Sequence, residues 1–278
     1  MASISANQIK LFETLHKSRM EDFKTFNKKS YRGVWSSIID KYPESAHFVY
    51  ELLQNADDAE ATEVYIILKH DRMLFKHNGN KHFDITLEDA EHIGDINSIT
   101  GIGDSSKINT QNKIGKFGVG FKAVFQYTDT PEIYDDVFKF KIENYIVPTL
   151  LSNDHPERQE GETLLYSLSK MRKSYQDILQ RLENLQNPIL FLHNIQRIVW
   201  RIDKNKNIIG KETEYAKKII DTREYDDGLV VMEHYVLHEP TKTSNIFLFS
   251  QKSESQVMVW KLSTSLMWVI TMILIRKS

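Results

Sequence analysis

Residues 51–64 read ELLQNADDAEATEV. Leucines and alanines supply a packing face, yet one glutamate, one asparagine and two aspartates crowd into the same two turns. In an α-helix, positions i, i+4 and i+7 share a side. Glu51, Asn55 and Asp58 have that spacing, while Val49, Leu52, Leu53, Ala56 and Ala59 occupy the other surfaces. The pattern predicts a helix over about residues 45–58, with its back in a core and a narrow polar stripe facing something else. Pro43 suits its start, where a missing N–H costs nothing. A stripe of carboxylate, carboxamide and carboxylate can hold a hydrated Mg²⁺ and orient water, because magnesium takes oxygen ligands and keeps several waters. A solvated face on an amphipathic helix is the plainer alternative, and this helix alone does not choose between them.

A second segment bears on that choice. GKFGVGF, residues 115–121, precedes a helix-forming run. Glycines let backbone approach a phosphate closely, and a helix N-terminus offers free N–H groups to an anion. Gly115, Gly118 and Gly120 fit neither the dinucleotide fingerprint nor the Walker spacing. Between the two segments, TEVYIILK and RMLFKH are β-rich runs parted by His70 and Asp71, a hairpin that ends in HNGN. Thr86, followed by carboxylates, is a helix-start signal. Residues 97–116 are polar, with Gly101, Gly103 and Gly115, and read as a long loop of the kind that covers ligands. We expect this lid, about residues 95–115, to be mobile without a ligand, since few apolar anchors oppose its opening.

Further along, PEIYDDVFKFKIENY reads as a hairpin turning at Asp135 and Asp136, and ETLLYSL as a strand after Gly161. Residues 169–187 carry a helical stripe of Ile178, Leu179, Leu182 and Leu185. ILFLHNIQRIVWRI, EYAKKIID and LVVMEHYVLHE read as strands of a following sheet. The hairpins argue against crossover connections. The expected fold is an α/β, or α+β, sandwich: a mixed, largely antiparallel sheet with helices on one face. We divide the chain into a domain at 1–168, a C-terminal extension at 169–250 and an apolar tail at 251–278.

Composition limits the classes. A net charge of −2 lays out no basic field for nucleic acid. With no cysteine, thiolate metal sites and disulfide scaffolds are excluded, and a cytoplasmic setting is expected. MASISANQIKLF has no cationic stretch before an apolar run, so no leader is expected. The uninterrupted apolar run from Leu262 to Ile275 has 14 residues, against the roughly 20 a membrane span needs. A membrane role is therefore disfavoured. The tail remains open between a buried or partner-facing segment, a membrane-associated one, and an end foreign to the fold. His82, His92, His155 and His193 lack ligand spacing, so no zinc site is expected; Trp35, Trp200 and Tyr145 are read as core or interface aromatics.

Taken in order, the acidic-Asn helix, the NG turn, the polar lid, the glycine turn and the GET strand resemble the GHKL superfamily of ATPases, which share the Bergerat ATP-binding fold. ELLQNADDA and GKFGVGFKAVF are most similar to heat-shock-chaperone-like and sacsin-like N-terminal ATP-binding domains, and NPILFLHNIQRI to the segment after the nucleotide pocket in sacsin-like proteins. The resemblance covers about residues 30–200.

The resemblance implies Mg²⁺-dependent binding and slow hydrolysis of ATP, which drives a lid and a chaperone-like conformational switch. Glu51 would be the catalytic general base and Asn55 the Mg²⁺ ligand, with Asp58 and Ala59 completing the nucleotide helix. Gly79 would lie in the adenine-site loop. Gly115, Lys116, Phe117, Gly118, Val119, Gly120 and Phe121 would form the phosphate-cradling turn, with Thr163 near adenine. Ser105, Ser106 and Lys107 of the lid would reach ribose or phosphate. One departure stands out. Where the family pattern places an aspartate that accepts the adenine amino group, this chain has His77. Either His77 or Asn78 substitutes, or adenine specificity is relaxed. Expected partners are ATP, with a second copy or downstream domains of a larger protein. A non-hydrolysing nucleotide-sensing module is the alternative. A histidine kinase is disfavoured, since such kinases typically lack a carboxylate at the Glu51 position.

Overall fold

The computed structural model describes residues 4–28, 48–101, 120–167, 175–185, 188–203, 208–225, 228–238, 243–252, 257–263 and 271–275. Helix α1 (Ala6–Phe26) opens on a capping box, in which Ser5 and Gln8 satisfy each other's backbone N–H groups. It buries Phe12 and Leu15, and Phe12 packs on the rings of Phe138 and Phe140. Helix α2 is Phe48–Asp58. Strands β1 (Glu63–Lys69) and β2 (Arg72–His77) form the expected hairpin, in register from Val64 opposite His77 to Lys69 opposite Arg72. After α3 (Asp95–Thr100) and a 3₁₀ helix (Gly120–Gln126) come β3 (Pro131–Tyr134), β4 (Lys139–Glu143), β5 (Val147–Leu150) and β6 (Thr163–Ser167). Helix α4 (Tyr175–Glu183) and a second 3₁₀ turn (Pro188–Phe191) lead to β7 (Arg197–Ile202). Then follow β8 (Thr213–Tyr225), β9 (Gly228–His238), β10 (Thr243–Lys252), β11 (Val257–Ser263) and β12 (Thr271–Ile275).

The strands join one sheet in the order β12-β11-β10-β9-β8-β7-β1-β2-β6-β3-β4-β5. The β1–β7 pair is parallel and the other pairs are antiparallel, so the sheet is mixed and largely antiparallel as expected. Alternation along β1 shows the layering. Val64, Ile66 and Leu68 enter the main core with Phe12 of α1, Leu53 of α2, Ile96 of α3 and Ile178 of α4. Ile67 turns the other way and joins Leu74, Tyr134 and Leu164 in a small separate cluster. Each described α-helix therefore packs on the same sheet face.

Three local expectations are corrected. Thr86 does not start a helix; the helix begins at Asp95, behind Gly94. The Thr86 N–H donates to Asn97 Oδ1, Asn97 Nδ2 donates to the Thr86 carbonyl, and the Gly94 N–H donates to Thr86 Oγ1, so Thr86 is spent on a non-local clasp. For the same reason residues 95–100 belong to α3 rather than to a loop, with Ile96 and Ile99 in the core. The segment ILFLHNIQRIVWRI is not one strand: its first part is the 3₁₀ turn, and β7 starts only at Arg197. The tail resolves into β11 and β12, which pair antiparallel from Val257 opposite Ile275 to Lys261 opposite Thr271. Among the described residues, no helix is long and apolar enough to cross a membrane.

Candidate functional site

Helix α2 divides its residues as the spacing predicts. Phe48, Val49, Leu52, Leu53 and Ala56 are buried, Glu51 and Asn55 are half-buried, and Asp58 is exposed. Glu51 and Asn55 have no side-chain hydrogen-bond partner among the described residues. The helix ends with Glu60 in the left-handed region, φ 61°, and Ala61 N–H returns to the Ala56 carbonyl at 3.0 Å, closing the last turn.

Sequence reasoning missed the role of Asp57. Only 6% exposed, its carboxylate accepts the backbone N–H groups of His193 (2.9 Å), Asn194 (2.7 Å) and Ile195 (2.9 Å). Asn194 Nδ2 also donates to the Asp57 carbonyl at 2.9 Å. These bonds bend the chain ahead of β7 and clamp the end of α2 to it. No local signal separates Asp57 from Asp58; only the inward side of the helix period points to it.

Beyond α2, the turn after β2 presses against the helix end. A Cβ on Gly79 would lie 2.7 Å from the Ala59 carbonyl oxygen and 2.9 Å from Ala59 Cβ. Asn78 is committed to structure: its Oδ1 accepts the N–H groups of Thr62 and Glu63, each at 2.9 Å, and its Nδ2 donates to Thr62 Oγ1. His77 is buried on the helix-covered side of β2, and its Nδ1 accepts the Gly79 N–H at 3.1 Å. Across the ladder His77 pairs with Thr163, also buried. Thr163 is set by the turn at Gly161, whose φ is +79° and whose N–H donates to the Asp136 carboxylate, itself held by Arg158 at 2.7 Å. The structure thus brings Ala59, His77, Gly79 and Thr163 together at the end of the helix that carries Glu51 and Asn55.

Gly120 opens the 3₁₀ helix, which packs against α2, and Phe121 is buried in the core. Lys122, not anticipated, is buried and donates to the carbonyls of Ile99 (2.7 Å) and Tyr145 (2.9 Å). Burial pushes its ammonium down to about 7. Ser105, Ser106, Lys107, Gly115, Lys116, Phe117, Gly118 and Val119, with most of the proposed lid, lie outside the described residues.

Burial also holds His77 neutral, with its pKa lowered to about 4 from an ordinary 6.5. Between those values the unfolded chain binds the extra proton, so stability present above about pH 6.5 is lost as pH falls through 4. The loss amounts to about 2 kcal/mol by pH 5. Urea titrations at pH 7.5 and 5 should show it for the wild type and not for His77→Gln. Equal pH dependence in the two proteins would contradict the neutral, buried ring.

Residues 28–142 match a family model described as the Sacsin domain. That stretch is sacsin-like. Two curated proteins agree with that relation: Protein NO VEIN of Arabidopsis thaliana, 27% identical over 238 residues and 74% of this chain, and Sacsin of Homo sapiens, 31% identical over 121 residues and 37% of this chain. The chain spans 8% of the first and 2% of the second. The sacsin-like match takes in α2, the β1–β2 hairpin, α3, the 3₁₀ helix, β3 and most of β4, the elements that surround Glu51, Asn55, Ala59, His77 and Gly79.

Proposed function

We propose that the chain binds magnesium–ATP beside α2 and hydrolyses it slowly, and that the bound state sets a chaperone-like conformational switch. The output would pass to other domains of a longer polypeptide or to a second copy. The observation that carries this reading is the placing of two polar regions beside one helix, His77 and Thr163 at its C-terminal end and Glu51 and Asn55 along it. At its C-terminal end, close packing of Gly79 on Ala59 leaves His77 and Thr163 side by side. Eight residues earlier stands Glu51, a rise of about 12 Å, near the span from a purine to its γ-phosphate.

The residues present fit such a complex. The contact between Gly79 and Ala59 leaves no room for a β-carbon. Among the described residues the Asn55 carboxamide and the Glu51 carboxylate have no hydrogen-bond partner, so the first could serve a metal and the second a water. When bound, Mg²⁺ would neutralise phosphate charge and so lower the barrier to phosphoryl transfer. Glu51 would hold the attacking water and accept its proton at a carboxylate oxygen. Asn55, one turn further along, would supply the metal with an oxygen ligand. The clamp at Asp57 keeps the helix that carries both from shifting against the sheet.

A single-turnover assay with γ-labelled ATP tests the reading. Release of free phosphate supports hydrolysis, bound but unreacted ATP favours the sensing module, and labelled protein would indicate a kinase. Asn55→Ala should abolish the magnesium-dependent part of ATP affinity in calorimetry. Unchanged affinity with magnesium present would refute the metal role.

A further inference from the structure

Lys122 belongs to the 3₁₀ helix that opens at Gly120 and packs against α2, and it is 8% exposed. Its Nζ donates to two carbonyls, that of Ile99 near the end of α3 and that of Tyr145 in the β4–β5 turn, at 2.7 and 2.9 Å. The Phe125 ring centroid stands 5.8 Å from the same nitrogen. A neutral amine has two hydrogens, and the two carbonyls take both; an ammonium has a third. Among the described residues no carboxylate pairs with Lys122, and the charge that acts on it is Arg19 of α1, of like sign. The acids on the elements around it are engaged elsewhere. Glu88 and Asp22 lie 2.6 and 3.1 Å from Arg19, Asp95 of α3 bonds to Asp84, and Glu143 of β4 lies 3.0 Å from Lys141. On α2, Asp57 holds the backbone of residues 193–195, and Glu51 exerts no pull on Lys122. A cation taken out of water needs a charge of opposite sign, and the described chain supplies none.

We infer that the phosphate chain of a bound nucleotide is the counter-charge of Lys122, so that binding draws a proton from solution onto this buried amine. This rests on the nucleotide-binding reading above. Two residues of 3₁₀ helix and one lysine stem separate Nζ from Gly120, so a polyanion seated at the start of that helix lies within about 10 Å of it. That is about one Debye length at 0.1 M salt, and buried charges are screened less than exposed ones. Burial favours the free amine, whereas a nearby anion favours the ammonium. The sign follows. At pH 8 the amine is mostly uncharged in the free protein and mostly charged in the complex, so binding takes up a proton and tightens as pH falls from 9 to 7. At pH 6 the amine is charged in both states, and the linkage fades.

The test is calorimetry of the full chain with magnesium–ATP, run in two buffers of different ionisation enthalpy so that the heat difference counts protons. About half a proton per nucleotide should be taken up at pH 8 and close to none at pH 6, and affinity should weaken by about tenfold from pH 7 to 9. Phosphate groups lose their last proton near pH 6, so the ligand itself is ionised over that interval. Lys122→Arg keeps its charge throughout, and should bind without proton uptake and with an affinity that does not follow pH. In the wild type, independent of any variant, the Lys122 Cε–H signal in NMR spectra should titrate near pH 7 in the free protein and above pH 8 in the complex. Binding without proton uptake, uptake retained in a folded Lys122→Arg protein, or a Lys122 signal that titrates alike in both states would overturn the inference and leave nucleotide binding intact. No binding at any of these pH values would instead remove the nucleotide reading, and this inference with it.

Discussion

Asp57→Ala should destabilise the protein by about 3–5 kcal/mol, measured as the loss of unfolding free energy in urea. The carboxylate of Asp57 is the acceptor for three backbone N–H groups within 2.9 Å, on residues 136 to 138 positions away. Alanine leaves those donors facing a small void. Hydrogen bonds to a charged acceptor contribute about 1.5–3 kcal/mol each, and water entering the gap would restore part of the total. The same change at exposed Asp58 should cost no more than about 1 kcal/mol. The contrast between these neighbours is the sharper readout, because composition, helix propensity and net charge change equally in both. A cost at Asp57 no larger than at Asp58 would mean that the clamp contributes nothing.

Glu51→Ala should leave magnesium–ATP binding intact and slow single-turnover hydrolysis by about 10²–10⁴-fold, the usual worth of general-base assistance. That corresponds to about 3–5.5 kcal/mol of transition-state stabilisation. Phosphoryl transfer depends mostly on positioning and charge stabilisation, so a residual rate is expected. The comparison is made at saturating ATP, which removes any difference in affinity. A loss below about tenfold with binding preserved would take the base role away from Glu51. Loss of binding with the fold intact would place Glu51 among the groups that hold the nucleotide.

Much of the local architecture was legible in the residue order. The i, i+4, i+7 stripe of Glu51, Asn55 and Asp58 has the exposure the period predicts, and the alternation of Val64, Ile66 and Leu68 defines the core face of β1. The turns at His70–Asp71 and Asp135–Asp136 fall where apolar runs break. Each of these signals lies within one turn or one hairpin, where neighbours in sequence are neighbours in space.

By itself, then, the sequence determined a polar-striped helix ahead of a hairpin, a largely antiparallel sheet, and a set of residues resembling a nucleotide site. Tertiary structure decided what the inward Asp57 binds, because its partners are the backbone of residues 193–195. It decided that Thr86 clasps Asn97 rather than starting a helix, and that β1 lies parallel to β7 across more than a hundred residues. It also decided which nitrogen of His77 carries the lone pair, through the N–H of Gly79. Propensity and periodicity describe the chain a few residues at a time, whereas a buried acceptor must be paired wherever in the chain its donor lies.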